Sequence, residues 1–299
     1  MKGLKLSFLL LLIIFVSCKN QIRKPSIIEI DTEKKNEHIK QLEIINGIPV
    51  YDISEIPWQV GLLEPKEEID CFCGGSIINQ KWILTAAHCL YYENSEGIKQ
   101  RRTISDIYIF ANSSNLNQGG EIYEIIKIIE HPNYNKQTND NDIALLELHT
   151  PINIYYENQI VELPTQEEFE SLYQTGINVY VSGWGATSVN GDEYPEVLMK
   201  TKISFKDHSI CKQNYSSVNS LVTNNMICVS GTFTDSCSGD SGGPLFTVID
   251  GKEIQLGITS WGGFPCADPK LFGVYTNTFN YKDWINENCL NCLDNNVSI

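Results

Sequence analysis

The sequence predicts an all-β fold, a barrel or a sandwich, and three observations carry that prediction. Short runs of β-branched and aromatic residues recur along the chain. Turn-forming residues interrupt them at close intervals. No long stretch repeats with a helical period. In the N-terminal half the runs are Trp58–Leu63, Ser76–Ile78, Trp82–Thr85, Ile107–Ala111, Tyr123–Glu130 and Ile143–Leu148. After a connection at Pro151–Pro164 they resume as Asn178–Ser182, Leu198–Ser204, Pro244–Ile249, Glu253–Ser260 and Gly273–Thr276. Three stretches break the pattern. Glu167–Gln174 reads as a helical turn or a polar loop, Asp207–Tyr215 as a helix, and Phe279–Cys292 as a C-terminal helix that buries Tyr281, Trp284 and Ile285.

The chain has 299 residues, room for two compact domains or one large one. With 20% charged and 42% apolar residues it is not the composition of a disordered protein. The net charge is −15, and without residues 1–43, which hold eight basic and five acidic side chains, it becomes −18. Such a surface disfavours nucleic acid and draws basic partners. Ten cysteines argue for an oxidising compartment.

The N-terminus fits that compartment. Met1–Lys5 is basic, and Leu6–Val16 is apolar but too short to span a membrane, as in a signal peptide. The stretch ends in Phe15-Val16-Ser17-Cys18, which resembles a bacterial lipoprotein cleavage site with Cys18 as the lipid carrier; ordinary secretion is the alternative. Residues 1–18 are therefore expected to direct export, with a lipid on Cys18 as the sole link to a membrane. Lys19–Glu43 is polar and reads as a tether or propeptide. Asn112, Asn214 and Asn296 each begin a glycosylation pattern, which matters only in a eukaryotic source.

The stretch with the most chemistry is Thr234-Asp235-Ser236-Cys237-Ser238-Gly239-Asp240-Ser241-Gly242-Gly243-Pro244. Glycines around Ser241 permit a turn in which its hydroxyl and nearby N–H groups converge on one point, as acyl transfer requires. Upstream lie Thr85-Ala86-Ala87-His88-Cys89 and Asp140-Asn141-Asp142-Ile143-Ala144-Leu145-Leu146. Serine needs a base to take its proton, and imidazole suits that task near neutrality. A carboxylate on the other ring nitrogen fixes the tautomer. Each motif alone is weak; in the order His, Asp, Ser they are specific.

With Ile44-Ile45-Asn46-Gly47, Pro57-Trp58-Gln59-Val60, Ser182-Gly183-Trp184-Gly185 and Ser260-Trp261-Gly262, these motifs make the chain resemble the chymotrypsin–trypsin serine endopeptidases from about Ile44 to Trp284. The resemblance implies two six-stranded antiparallel β-barrels, at about 44–160 and 161–280, and a C-terminal helix at about 279–292, within a peptidase region of 44–299. It implies His88, Asp142 and Ser241 as the triad, and the N–H groups of Gly239 and Ser241 as the oxyanion hole. Ser260 would support Asp142. It puts Asp235 at the base of the specificity pocket beside Ser236, Ser260 and Trp261, with Gly262 and Gly273 as walls. The expectation is cleavage of protein or peptide substrates after Arg or Lys.

The same resemblance implies a zymogen. Cleavage would free the Ile44 amine to pair with Asp240. The residue before that bond is Glu43, so activation by a separate, Glu-tolerant protease is expected; the alternative is that the uncleaved form is the working form. Implied disulfides are Cys73–Cys89, Cys211–Cys228 and Cys237–Cys266. Cys71, Cys289 and Cys292 are left over, the last two best read as a local or tail-fastening bridge. The stretch from Ala111 to Glu121 lacks the acidic residues of the family's calcium loop, and Phe272 stands where some relatives bind sodium. No cofactor or tight metal site is expected, and the molecule should be a monomer. Two alternatives stay open: an endopeptidase of other specificity, and a catalytically silent homologue that acts as a binding module.

Overall fold

A computed structural model describes residues 47–66, 71–175, 178–188, 193–231, 236–249, 251–290 and 292–293. The expected leader, Cys18, the tether, Glu43, Ile44 and Asp235 lie outside the described residues. The strands of the first half are β1 (Ile48–Pro49), β2 (Gln59–Leu63), β3 (Cys71–Asn79), β4 (Trp82–Thr85), β5 (Tyr91–Glu93), β6 (Lys99–Arg101), β7 (Tyr108–Ala111), β8 (Glu121–Glu130) and β9 (Ala144–Leu148). Six of them close a barrel in the order β2-β3-β4-β9-β8-β7. The hairpin β5–β6 stands apart as a two-stranded sheet, and β1 crosses to pair with a strand of the second half.

The second half holds helix α1 (Gln166–Thr175), β10 (Asn178–Gly183), β11 (Met199–Phe205), α2 (His208–Ser216), β12 (Met226–Ser230), β13 (Pro244–Ile249), β14 (Lys252–Trp261) and β15 (Gly273–Asn277). Its strands run β11-β10-β13-β14-β15-β12, and antiparallel pairing of β11 with β12 closes the second six-stranded barrel. The expectation of two barrels is met. Closure pairs each strand of the first barrel on both sides, so that barrel offers no open edge for another chain to join.

Strand sequences explain their places. Val60 and Leu62 of β2, Ile83 and Leu84 of β4, and Ala144, Leu145, Leu146 and Leu148 of β9 are fully buried in the first barrel. Val179 and Val181 of β10, Leu245 of β13, Leu256 of β14 and Tyr275 of β15 fill the second. Apolar surface withdrawn from water, at about 25 cal/mol per Å², is the main force holding each barrel.

Two helices are fixed by their caps. Thr165 and Glu168 form a capping box on α1, the Thr165 N–H donating to Glu168 Oε2 at 2.8 Å and the Glu168 N–H to Thr165 Oγ1 at 3.2 Å. Asp207 caps α2 through the N–H groups of Ser209 and Ile210 at 2.8 and 3.0 Å. The C-terminal segment is shorter in α-helix than expected. It begins as a 3₁₀ turn, Thr278–Tyr281, and α3 covers Lys282–Asn288. The Cys289–Cys292 disulfide then holds the chain in a tight turn in which Leu290 has φ of 56°.

The seam between barrels is polar, and this sets the site's position. Ser182 Oγ donates to Gln59 Oε1 at 2.6 Å, and Ser76 Oγ to Gln255 Oε1 at 2.5 Å, both in fully buried surroundings. A buried polar group without a partner is costly, so these bonds fix how the barrels meet. Trp58 adds an edge-on contact with Phe246 at 5.1 Å between ring centres.

Candidate active site

Neighbouring strands bring His88 and Asp142 together across 54 positions of sequence. The register pairs Thr85 of β4 with Ala144 of β9. The residues just after the first and just before the second must therefore lie side by side. His88 sits on the 3₁₀ turn Ala87–Leu90, held by the Cys73–Cys89 disulfide. Asp142 is fully buried and accepts from the His88 backbone N–H at 2.8 Å and from His88 Nδ1 at 2.7 Å. Ser260 Oγ, at the end of β14, donates to the same carboxylate at 2.5 Å. Thr276 of β15 donates to the Asp142 backbone oxygen at 2.8 Å. Both barrels thus clamp one carboxylate.

The contacts set the imidazole's state. With Nδ1–H donated to Asp142, neutral His88 presents a lone pair at Nε2. Burial opposes the imidazolium, but the charge and hydrogen bond of Asp142 outweigh it and hold the His88 pKa above its ordinary value. Lys99 pulls weakly the other way.

Ser241 belongs to the second barrel, in the turn before β13, and is tied into both barrels. Its carbonyl accepts the Gly74 N–H of β3 at 2.7 Å. The next N–H, of Gly242, donates to Thr259 O of β14 at 2.8 Å. Gly242 has φ of 79°, and a Cβ there would meet Thr85 Oγ1 at 2.3 Å and Gly74 O at 2.6 Å. Gly239 has φ of 98°, and a Cβ there would lie 2.9 Å from Gly185 Cα. Only glycine fits either position. Among the described residues no hydrogen bond joins Ser241 Oγ to His88 Nε2; such contacts tighten when substrate arrives.

Asp240 is buried beneath this turn. Its carboxylate accepts the N–H groups of Gly185 and Cys237, each at 2.9 Å. Burial nevertheless raises its pKa to about 6. Ser236 shares a hydrogen bond with the Tyr275 hydroxyl at 2.7 Å. Trp261 packs edge-on against Tyr215 at 4.6 Å, and a Cβ on Gly262 would touch Gly273 Cα at 3.6 Å. Cys237–Cys266 and Cys211–Cys228 brace this region. The Phe272 carbonyl is taken by the Tyr215 hydroxyl at 2.5 Å. His88 lies close to Cys73 and Cys89, but both sulfurs are bound in a disulfide, so the trio offers no metal-ligand set.

Comparison with known proteins identifies the family. The family model described as Trypsin matches residues 44–285. The chain is 39% identical over 256 residues to a trypsin of Phaedon cochleariae, covering 82% of this chain and 88% of that one. It is 39% identical to a trypsin of Simulium vittatum, covering 77% of this chain and 87% of that one. To a trypsin of Sus scrofa it is 36% identical, covering 78% and 90% respectively. The chain belongs to the trypsin family. It is a trypsin-like serine endopeptidase, a hydrolase acting on protein substrates.

For this trypsin-family member, sequence reasoning missed three supports of the site. Thr276 carries no motif, Gly74 looks like any strand glycine, and Thr85 Oγ1 donates to Gly74 O at 2.8 Å from within the His88 motif. Only the register of strands from distant parts of the chain reveals them. Cys71 forms no disulfide with another described cysteine, whereas Cys289 and Cys292 pair locally as expected.

Proposed function

We propose that the protein hydrolyses peptide bonds after Arg or Lys through an acyl-enzyme on Ser241. His88 takes the Ser241 proton as the oxygen attacks the scissile carbonyl, then gives it to the leaving amine. Asp142 stabilises the imidazolium formed in between. The N–H groups of Gly239 and Ser241 stabilise the oxyanion, a contribution of roughly 3 kcal/mol per donor. The observation that carries this reading is the buried Asp142 carboxylate, held by His88 at 2.7 Å and by Ser260 at 2.5 Å across the barrel seam from the Ser241 turn. Asp235 in the sequence, with the close approach of Gly262 to Gly273, supports a pocket for a long cationic side chain.

The chain reads as a zymogen, exported as a monomer with a propeptide ending at Glu43 and either secreted or lipid-anchored at Cys18. The state of Asp240 supports this. A carboxylate buried on two N–H groups alone is poorly compensated, and a cationic partner such as the Ile44 amine would restore its charge. The test is an assay of protein beginning at Ile44 on matched peptides with Arg, Phe or Glu before the bond, with Ser241→Ala as control. Arg-selective cleavage lost in the control supports the reading. Cleavage after Phe or Glu instead would reassign the pocket, and no labelling of Ser241 by a serine-reactive phosphonate would favour a binding module.

A further inference from the structure

A cleft of about 330 Å³ opens beside His88, lined by Tyr91, Tyr92, Tyr134, Lys99 and Lys136. Its walls are the β5–β6 hairpin and the loop that leads to Asp142. It shares no residue with a second cleft of about 470 Å³ at Gly239, Cys71, Phe72 and Trp184. The Ser260–Asp142 hydrogen bond joins the proposed specificity-pocket wall to the loop carrying Lys136 and Asn139. His88 itself lines the lysine cleft, so a substrate chain held for attack by Ser241 lies at its mouth.

The two cations are available. Lys136 Nζ sits 3.8 Å from the centre of the Tyr91 ring, and that ring stacks on Tyr134 at 6.3 Å. The nearby acid Glu130 is already engaged, by Arg101 at 3.1 Å and by the Tyr91 hydroxyl at 2.8 Å. Among the described residues neither Lys99 nor Lys136 forms an ion pair. Glu93 lines the same cleft opposite Lys99 in the hairpin, leaving a net charge of +1 there if His88 is neutral. This positive spot stands on a chain whose net charge is −15.

We propose that Lys99 and Lys136 make this cleft a subsite for an acidic side chain on the acyl side of the cleaved bond. Preferred substrates then carry Asp or Glu shortly before the Arg or Lys at which they are cut. The inference rests on the Arg/Lys reading of the main pocket and adds a second selectivity. Ammonium groups on an aromatic bed recognise a carboxylate through charge and lose little by desolvation. Exposed pairs contribute modestly, so two lysines should favour Asp over Asn by roughly fivefold to tenfold in kcat/KM.

The test uses protein beginning at Ile44 and peptides cut after Arg, identical except for Asp or Asn one, two or three positions before the Arg, or just after the bond. The expected result is a preference for Asp before the Arg, with the Asp-to-Asn ratio near one in a Lys99→Gln/Lys136→Gln double variant. Lys99→Gln alone should also shift the acid limb of the pH–rate profile to higher pH, because Lys99 disfavours the His88 imidazolium. Equal cleavage of Asp and Asn peptides overturns the subsite alone, as does a preference that survives in the double variant or appears only after the bond. Silence on every Arg peptide overturns the main-pocket reading and the subsite with it.

Discussion

His88 with Asp142, and Asp240 beneath the Ser241 turn, are two buried carboxylate sites built in different ways. Asp142 takes both side-chain partners on Oδ2, His88 Nδ1 at 2.7 Å and Ser260 Oγ at 2.5 Å, and the His88 N–H on Oδ1. Asp240 has two backbone N–H groups, and its pKa rises to about 6. The first site is completed by the folding of the two barrels. The second keeps a charge that the described residues only partly compensate. The proposed base is thus prebuilt, while the turn proposed to hold the oxyanion rests on a carboxylate that two N–H groups only partly compensate. On the zymogen reading proposed above, a switch would act at this second place.

The largest break in this comparison comes from the prebuilt side. Asp142→Asn keeps the shape but presents an amide where His88 Nδ1 needs an acceptor, which favours the wrong tautomer. A fall of about 10⁴-fold in kcat is expected, the size known for this family's triad, with KM little changed. Steady-state kinetics on an Arg peptide measure it. A loss of under tenfold would mean that the His88–Asp142 contact of 2.7 Å does not set the tautomer during turnover.

On the other side, Gly239→Ala should cost about 10²- to 10³-fold in kcat. The added Cβ would lie 2.9 Å from Gly185 Cα, and φ of 98° is strained for alanine. The turn must shift, and its N–H leaves the oxyanion. The signature that distinguishes this from general unfolding is a still cooperative melt, lowered by only several degrees, with the loss of activity confined to kcat.

The third prediction tests the uncompensated charge directly. Between about pH 4 and pH 6 the folded chain holds a proton on Asp240 that the unfolded chain has released. The Asp240 contribution to the stability of the uncleaved protein should therefore fall as pH rises through that window, by up to roughly 3 kcal/mol, against the opposite trend of carboxylates with lowered pKa such as Asp52 and Asp207. In protein beginning at Ile44 the fall should be much smaller, because the amine favours the charged carboxylate. Thermal melts of both forms, each carrying Ser241→Ala to prevent self-digestion, compare them. Parallel curves would mean that the amine does not reach Asp240.

Legibility in the sequence followed the same division. The meeting of His88 with Asp142 could be anticipated because the proposed nucleophile, base and carboxylate need fixed residue types in short local settings. The all-β class could be read because short β-branched and aromatic runs between turns have few ways to bury themselves, while their closure into two barrels was implied only by the family resemblance. Thr276, which grips Asp142 O, and Gln59, which receives Ser182, could not be read. Their roles exist only once strands more than a hundred positions apart are in register. The short β5–β6 hairpin was missed because Glu93 and Lys99–Arg101 carry almost no strand signal, and its pairing depends on the turn between them. The break of the C-terminal helix at Asn288 depends on a disulfide partner three residues away, which a helical pattern does not reveal.

The smallest expected effect asks whether Ser260 belongs to the prebuilt base or merely to the seam. Ser260→Ala removes one donor from Asp142 and leaves both His88 contacts in place. The carboxylate then acts on the imidazolium with less of its charge engaged elsewhere, so the His88 pKa, already raised, should rise further. On the proposed mechanism neutral His88 is the base, so kcat/KM climbs with pH as the imidazolium loses its proton. The acid limb should therefore move to higher pH, with a loss of under tenfold on the plateau. A plain packing role would lower the plateau and leave the limb where it was. A moved limb with a modest plateau loss would make Ser260 a positioning residue: the second barrel would then supply both the nucleophile and part of the control over its base.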